Sequence, residues 1–357
     1  MRVLIADDSA FMRRAISQML AGDPDIEVVG TARNGREAVE MAGRLAPDVV
    51  TLDIEMPEMD GLTALRHIMR QCPTAVLMLS SLTTEGSQAA LTALQLGAAD
   101  VLAKDMSQVS LSITNIREDL LRRVKAIAGG ARRRRPAGAF SAAAAGAMAE
   151  VPRYRPGQFD VICIGSSTGG PPVLETILSA LPGNLSAPVV VAQHMPEIFT
   201  RSMAQRLGEI CAMPVVHAAD HMRLEPRAIY IAPGGRNVHL SKTGLARWEI
   251  LVNEEPQAAL YRPNVSALFA SAAQAMGGRT LALVLTGIGD DGLEGARLLQ
   301  QRGAVVLAQN QETCVVYGMP KAVTQAAVVQ ASLAPVDLAR ALQSLARGSP
   351  MPLAKAG

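Results

Sequence analysis

The 357-residue sequence predicts an α/β protein built from two doubly wound parallel-sheet domains in tandem. Three observations carry that expectation. Residues 1–128 alternate short apolar runs with amphipathic stretches, residues 159–346 do so again, and the segment 129–158 between them loses apolar periodicity. Strands that alternate with helices at this spacing imply parallel sheets with helices on both faces.

In the first domain, strands are expected at Val3–Ala6, Glu27–Ala32, Val49–Leu52, Ala75–Leu79 and Asp100–Ala103. Helical periodicity falls on Ser9–Leu20, Arg36–Leu45, Gly61–Met69, Gln88–Leu96 and Ile113–Ile127. Then come Gly129-Gly130, the basic run Arg132–Arg135, an alanine run and Pro136, Pro152 and Pro156. A flexible linker of about thirty residues is expected there, spanning roughly 30 Å root-mean-square as a coil. The second domain has strand candidates Val161–Ile164, Pro188–Ala192, Ile229–Ala232, Leu281–Leu285 and Ala304–Ala308. Its helical stretches are Pro172–Leu181, Phe199–Leu207, Val265–Met276, Gly292–Gln301 and Pro335–Leu345, and Val238–Val252 reads as an antiparallel hairpin at a sheet edge. The tail 347–357 is expected to fray.

Composition narrows the function. Hydrophobic residues make up 49% of the chain, ample for two cores, yet no run of about 18 apolar residues predicts a membrane span. Asp7 and Asp8 come too early for a secretory leader, so a cytoplasmic protein is expected. A net charge of +2 gives no general reason to expect nucleic acid, and the arginine run reads as a solvated face. Cys72, Cys163, Cys211 and Cys314 lie far apart without metal-ligand spacing and read as buried thiols.

Two constellations carry chemistry. Asp7 and Asp8 close the first expected strand, Asp53 the third, Ser80 the fourth and Lys104 the fifth. A parallel sheet sets those carboxyl ends side by side, at the crevice where such folds bind ligands. Taken alone, Asp7 and Asp8 could simply cap the following helix. With Asp53 added, three carboxylates at one point repel unless a cation joins them, and Mg²⁺ with its oxygen octahedron suits the set. The Ser80 hydroxyl and the Lys104 ammonium could then hold oxygens of a transferred phosphoryl group.

In the second domain a strand runs into Gly165-Ser166-Ser167-Thr168-Gly169-Gly170, then prolines and a helix. The spacing Gly-x-Ser-x-Gly around Ser167 fits a nucleophile elbow, whose next amide, from Thr168, points into the site. A phosphate or dinucleotide cradle is the other reading of such a turn. A serine nucleophile needs a base, and the base an orienting carboxylate. His194 follows the next strand, and Asp290 and Asp291 follow the strand 281–285. Among the other histidines, His67 falls in a helix of the first domain and His239 in the hairpin, while His217 and His221 read as solvated side chains rather than a metal pair.

These residues resemble two families. Over residues 1–125 the acidic constellation is similar to response-regulator receivers. The resemblance implies a flavodoxin-like sheet, Asp53 as phosphoacceptor, Asp7 and Asp8 (with Asp53) as Mg²⁺ ligands, Ser80 as switch hydroxyl and Lys104 as phosphate contact. Asp105 stands where that family has a proline after the lysine. Over residues 1–345 the chain resembles the chemotaxis protein-glutamate methylesterases, including Ile231-Ala232-Pro233-Gly234-Gly235 and Val315-Val316-Tyr317-Gly318-Met319-Pro320. That resemblance implies a Rossmann-like catalytic domain with Ser167 as nucleophile, His194 as base, Asp291 rather than Asp290 as orienting acid, and the Thr168 and Ile288 amides as oxyanion donors. It further implies demethylation of glutamate γ-methyl esters on methyl-accepting chemotaxis receptors, and deamidation of selected receptor glutamines. A chemotaxis histidine kinase would be the phosphodonor, the esterase step would need no cofactor, and a monomer is expected.

Two competing readings have their own signatures. A DNA-binding output domain would show a helix-turn-helix pattern, and none is evident. A dinucleotide-dependent oxidoreductase would show Gly-x-Gly-x-x-Gly and an acidic strand end about twenty residues on. The turn here has neither.

Overall fold

The computed structural model describes residues 1–104, 112–134, 151–244, 247–257 and 259–346. Asp105, Arg135 and the tail 347–357 lie outside the described residues, as does 135–150 of the expected linker.

The first domain runs β1 (Arg2–Ala6), α1 (Ala10–Ala21), β2 (Glu27–Ala32), α2 (Gly35–Leu45), β3 (Val49–Asp53) and α3 (Gly61–Gln71). It continues with β4 (Ala75–Ser80), α4 (Thr84–Gln95), β5 (Asp100–Ala103) and α5 (Ser112–Arg134). Its five parallel strands are ordered β2-β1-β3-β4-β5, the flavodoxin-like order. All five residues of β3 are buried, as a central strand covered on both faces requires. Side-chain caps start the helices where the chain leaves the sheet: Ser9 accepts from the Met12 amide, Asn34 from Glu37, Asp60 from Thr63 and Thr83 from Gly86. Helix α5 continues to Arg134, past the boundary expected at 128. Glycines at 129 and 130 weaken a helix but do not end it when the last turn is packed. Ile127 and Ala128 are buried, and a Cβ on Gly130 would meet the Val315 carbonyl at 2.3 Å.

The second domain begins with β6 (Val161–Ser166), α6 (Gly170–Ser179), β7 (Val189–Gln193), α7 (Glu197–Ile210), β8 (Val215–His217), β9 (Met222–Arg223) and β10 (Ile229–Ile231). After these come β11 (Asn237–Gly244), β12 (Arg247–Asn253), α8 (Val265–Ala275), β13 (Thr280–Val284) and α9 (Leu293–Gln301). The domain closes with β14 (Val305–Gln309), α10 (Met319–Gln325), β15 (Ala331–Leu333) and α11 (Pro335–Gln343). Seven strands form a parallel sheet in the order β15-β14-β13-β6-β7-β10-β8. Strands β8 and β15, too short for a periodic signal, are its edges. The hairpin β11–β12 forms as expected but does not join this sheet. It pairs with β9 in a three-stranded antiparallel sheet, and Ser271 of α8 caps the Leu240 amide of β11. The last expected linker residues are packed rather than loose. Tyr154 lies edge-on to Phe159 at 5.2 Å, and its amide donates to Ser344 Oγ. Of the four cysteines only Cys163 and Cys314 are buried; Cys72 and Cys211 are half-buried.

The two domains are docked. Helix α4 lies on α7, with Ser87 Oγ 2.6 Å from Ser202 Oγ, and Gln95 Nε2 donates to Glu175 Oε2 at 2.6 Å. Val315 packs against the receiver-side cluster that includes Leu120, Val124 and Ile127.

Candidate functional site

At the carboxyl edge of the first sheet, one carboxylate oxygen from each of Asp7, Asp8 and Asp53 lies within 4.8 Å of the others. Asp7 and Asp53 are buried, whereas Asp8 is exposed. Lys104 Nζ bridges two of them, 2.6 Å from Asp53 Oδ2 and 2.9 Å from Asp7 Oδ2. One ammonium does not balance three carboxylates. A set of hard oxygen donors with an open side fits a Mg²⁺ ion that keeps several waters. Burial pushes the Asp53 carboxyl up to about 6, against the pull of Lys104. The Ser80 hydroxyl, at the end of β4, donates to the Gly86 carbonyl of α4 at 2.9 Å.

A pH dependence follows. A proton and Mg²⁺ compete for Asp53, so Mg²⁺ affinity should be level above pH about 6 and fall as pH drops below it. The fall approaches tenfold per unit for one competing proton. Isothermal titration calorimetry of Mg²⁺ between pH 5 and 8 checks this on the intact chain; an affinity unchanged down to pH 5 would refute it.

At the carboxyl edge of the second sheet the local chemistry is different. Strand β6 ends at Ser166, and the chain turns through Gly169, whose φ of 76° is left-handed and suits glycine, into α6 with Pro171 and Pro172 in its first turn. The elbow is held underneath by polar groups. Ser166 Oγ donates to Gln193 Oε1 at 2.6 Å, Gln193 Nε2 to the Ser167 carbonyl at 2.9 Å, and the Ser167 amide to the Thr286 carbonyl at 3.0 Å. The Thr168 and Ile288 amides find no protein acceptor among the described residues. Two amides left open beside a serine are the arrangement that an oxyanion needs.

Ser166 and Gln193 are direct partners in the β6–β7 pairing, so Ser167 and His194 leave adjacent strands side by side. The His194 amide donates to the Ser166 carbonyl at 3.0 Å. Its ring meets Asp291 through Nε2, 2.9 Å from Oδ2. Asp291 also accepts from the Val265 and Ser266 amides at the start of α8 and from the Gly292 amide. Burial works against its charge, but the His194 hydrogen bond and those backbone donors hold the carboxyl below its ordinary value. A carboxylate accepts only, so Nε2 carries the proton in this pairing and Nδ1 keeps its lone pair. Nδ1 is buried without a hydrogen-bond partner among the described residues. Ser167 does not hydrogen-bond to it here; such bonds often tighten only around substrate. Asp290 is exposed, its side chain outside this group. Of the remaining histidines, half-buried His217 meets Thr200 Oγ1 through Nε2 at 3.0 Å, and exposed His221 lies 3.4 Å from Glu249.

Sequence reasoning missed four participants. The Tyr261 ring stacks on His194 with centroids 4.4 Å apart and planes 16° from parallel. Three others come from the first domain. Arg122 Nη1 donates to the Tyr261 hydroxyl, Asp100 Oδ2 accepts from the Thr168 hydroxyl at 2.5 Å, and Arg123 pairs with Asp100. Each contact joins residues far apart in the chain, so no local pattern signals them.

Comparison with known proteins identifies both domains. The response regulator receiver domain profile matches residues 3–114, and the CheB methylesterase profile matches residues 162–342. A protein-glutamate methylesterase/protein-glutamine glutaminase of Oleidesulfovibrio alaskensis is 47% identical, over 96% of this chain and 98% of its own length. One from Pseudomonas aeruginosa is 42% identical over the same shares, 96% and 98%. The crystal structure of the Thermotoga maritima CheB methylesterase catalytic domain superposes with a TM-score of 0.51 at 37% identity, covering 52% of this chain and 98% of that one. The chain therefore belongs to the CheB methylesterase family, with a response regulator receiver domain preceding the methylesterase domain.

Proposed function

We propose that this protein hydrolyses glutamate γ-methyl esters on methyl-accepting chemotaxis receptors, deamidates selected receptor glutamines at the same site, and is switched on by phosphorylation of Asp53. The observation that carries the reading is the buried, unpartnered Nδ1 of His194, oriented through Nε2 by Asp291 beside Ser167 and two open amides. The names of the relatives support the substrate class.

In this mechanism His194 Nδ1 takes the proton of Ser167 as its oxygen attacks the ester carbonyl. The Thr168 and Ile288 amides hold the oxyanion, each such donor being worth on the order of 10²–10³ in rate. His194 returns the proton to methanol as it leaves, or to ammonia when a glutamine is the substrate. Water, activated by the same nitrogen, then cleaves the acyl-enzyme. Asp291 stays ionised and stabilises the imidazolium.

For control, Asp7, Asp8 and Asp53 would hold Mg²⁺, which neutralises the phosphoryl group during its transfer from a chemotaxis histidine kinase to Asp53. Lys104 and the Ser80 hydroxyl would contact the transferred group. The unphosphorylated receiver sits over the hydrolytic site, and phosphorylation loosens it. Joined in one chain, the domains see each other at millimolar effective concentration. Each tenfold change in activity then needs only about 1.4 kcal/mol of shift between docked and released states. We assign the protein to the cytoplasm as a monomer. No described helix is long and apolar enough to cross a membrane.

Ser167→Ala tests the reading. Methanol release from methylated receptors should drop by a factor on the order of 10⁴ or more, while phosphorylation of Asp53 proceeds as in wild type. Turnover that persists in this variant would overturn it.

A further inference from the structure

His194 has a geometric problem that Asp291 alone does not solve. One hydrogen bond, from Nε2 to Asp291 Oδ2, fixes one end of the imidazole but leaves the ring free to swing about that axis. Nδ1 must nevertheless stay aimed at Ser167 while the ring gains and loses a proton. The face of the ring is covered by Tyr261, nearly parallel at 16°. The His194 side chain is only 2% exposed.

Tyr261 is itself held in place. Its loop leaves β12 and enters α8, and buried Asn237 pins both ends, donating to the Glu255 carbonyl at 2.8 Å and accepting from the Asn264 amide at 2.8 Å. The Arg262 carbonyl accepts from the Gly235 amide, and Asn264 caps α8 through the Ala267 amide. On the receiver side, the Arg122 guanidinium of α5 donates to the Tyr261 hydroxyl, with Cζ 5.3 Å from the ring centroid.

We propose that Tyr261 is a positioning residue that sets the plane of His194, and that the docked receiver grips the hydrolytic site through it with Arg122. This rests on the hydrolase reading above. Tyr261 acts through His194. Release of the receiver withdraws Arg122 from Tyr261 as well as uncovering the site.

The test uses the full-length chain with methylated receptors, with and without a small phosphodonor, and reads kcat and KM separately. In the phosphorylated protein Tyr261→Ala should lower kcat roughly three- to tenfold, the range of an aromatic stack, with KM little changed. Tyr261→Phe keeps the ring and should restore kcat. In the unphosphorylated protein, Arg122→Ala removes the whole contact and should raise the rate by a similar factor, while Tyr261→Phe loses only the hydrogen bond and keeps the ring beside Arg122, so it should raise the rate less. A wild-type kcat in phosphorylated Tyr261→Ala, or an equal loss in Tyr261→Phe, would overturn the positioning role. Unphosphorylated rates at the wild-type level in both Tyr261→Phe and Arg122→Ala would overturn the grip. Failure of the hydrolase reading is separate: wild type itself would then release no methanol, or Ser167→Ala would release it undiminished.

Discussion

Asp291→Asn is expected to lower kcat for ester hydrolysis by about four orders of magnitude, with KM within a few-fold of wild type. The carboxylate takes four hydrogen bonds: His194 Nε2 and the Val265, Ser266 and Gly292 amides. An asparagine of the same shape keeps one acceptor oxygen and turns an NH₂ to the other donors. If the oxygen stays with the Ser266 and Gly292 amides, the NH₂ faces both His194 and the Val265 amide, and Nε2 must give up its proton to accept. The proton then sits on Nδ1, the nitrogen that has to take one from Ser167. If the side chain flips instead, the oxygen stays with His194 and the Val265 amide and the tautomer is kept, but the Ser266 and Gly292 amides both face a donor, at about 1–3 kcal/mol each. Both outcomes lower the melting temperature, the second more, and only the first removes activity. Steady-state methanol release combined with a thermal melt separates them. A variant within tenfold of wild-type kcat and equally stable would show that Asp291 does not orient the base.

Much of this site was legible because parallel sheets bring their carboxyl ends together. Asp53, Lys104, Ser167, His194 and Asp291 each follow or end an apolar run, and strand adjacency does the rest. What a side chain does after leaving its strand was not legible. Ser80 ends β4 as expected, yet its hydroxyl is occupied by Gly86 of α4, a helix-start carbonyl with no pattern of its own. The apolar period of α5 marked its buried stripe, but the basic run after it read as linker, since only docking against Val315 shows why the helix continues. Tyr261 lies in a loop without periodicity. It gains its place from Asn237 and His194, 24 and 67 residues earlier in the chain. Contacts of that kind depend on how finished elements pack, and periodicity reports only how each element meets its own core.

Ser202→Arg should raise the unphosphorylated rate about tenfold or more, and shrink the further gain from a phosphodonor by the same factor. Ser202 and Ser87 are both buried at the α4–α7 contact, with their hydroxyls 2.6 Å apart. A long charged side chain has no room there. Forced overpacking costs about 1–3 kcal/mol, occasionally more, and about 1.4 kcal/mol is one decade in the docked-to-released ratio. The ceiling is the phosphorylated wild-type rate, because the substitution lies in α7 and touches none of Ser167, His194, Asp291 or Tyr261. If Asp53 accepts the phosphoryl group as proposed, the same contact lies on the route from it. Ser80 donates to Gly86, and the next residue, Ser87, makes the interface bond. A phosphoryl oxygen that drew the Ser80 hydroxyl toward Asp53 would break the tie between the end of β4 and the first turn of α4 where it meets α7. Ser202→Arg should therefore mimic phosphorylation at the interface without altering the acidic pocket, and Mg²⁺ affinity should stay at the wild-type value. Methanol release with and without phosphodonor reads the first effect, and calorimetric Mg²⁺ titration reads the second. A folded Ser202→Arg protein whose unphosphorylated rate equals wild type would mean that the α4–α7 contact does not hold the receiver over Ser167.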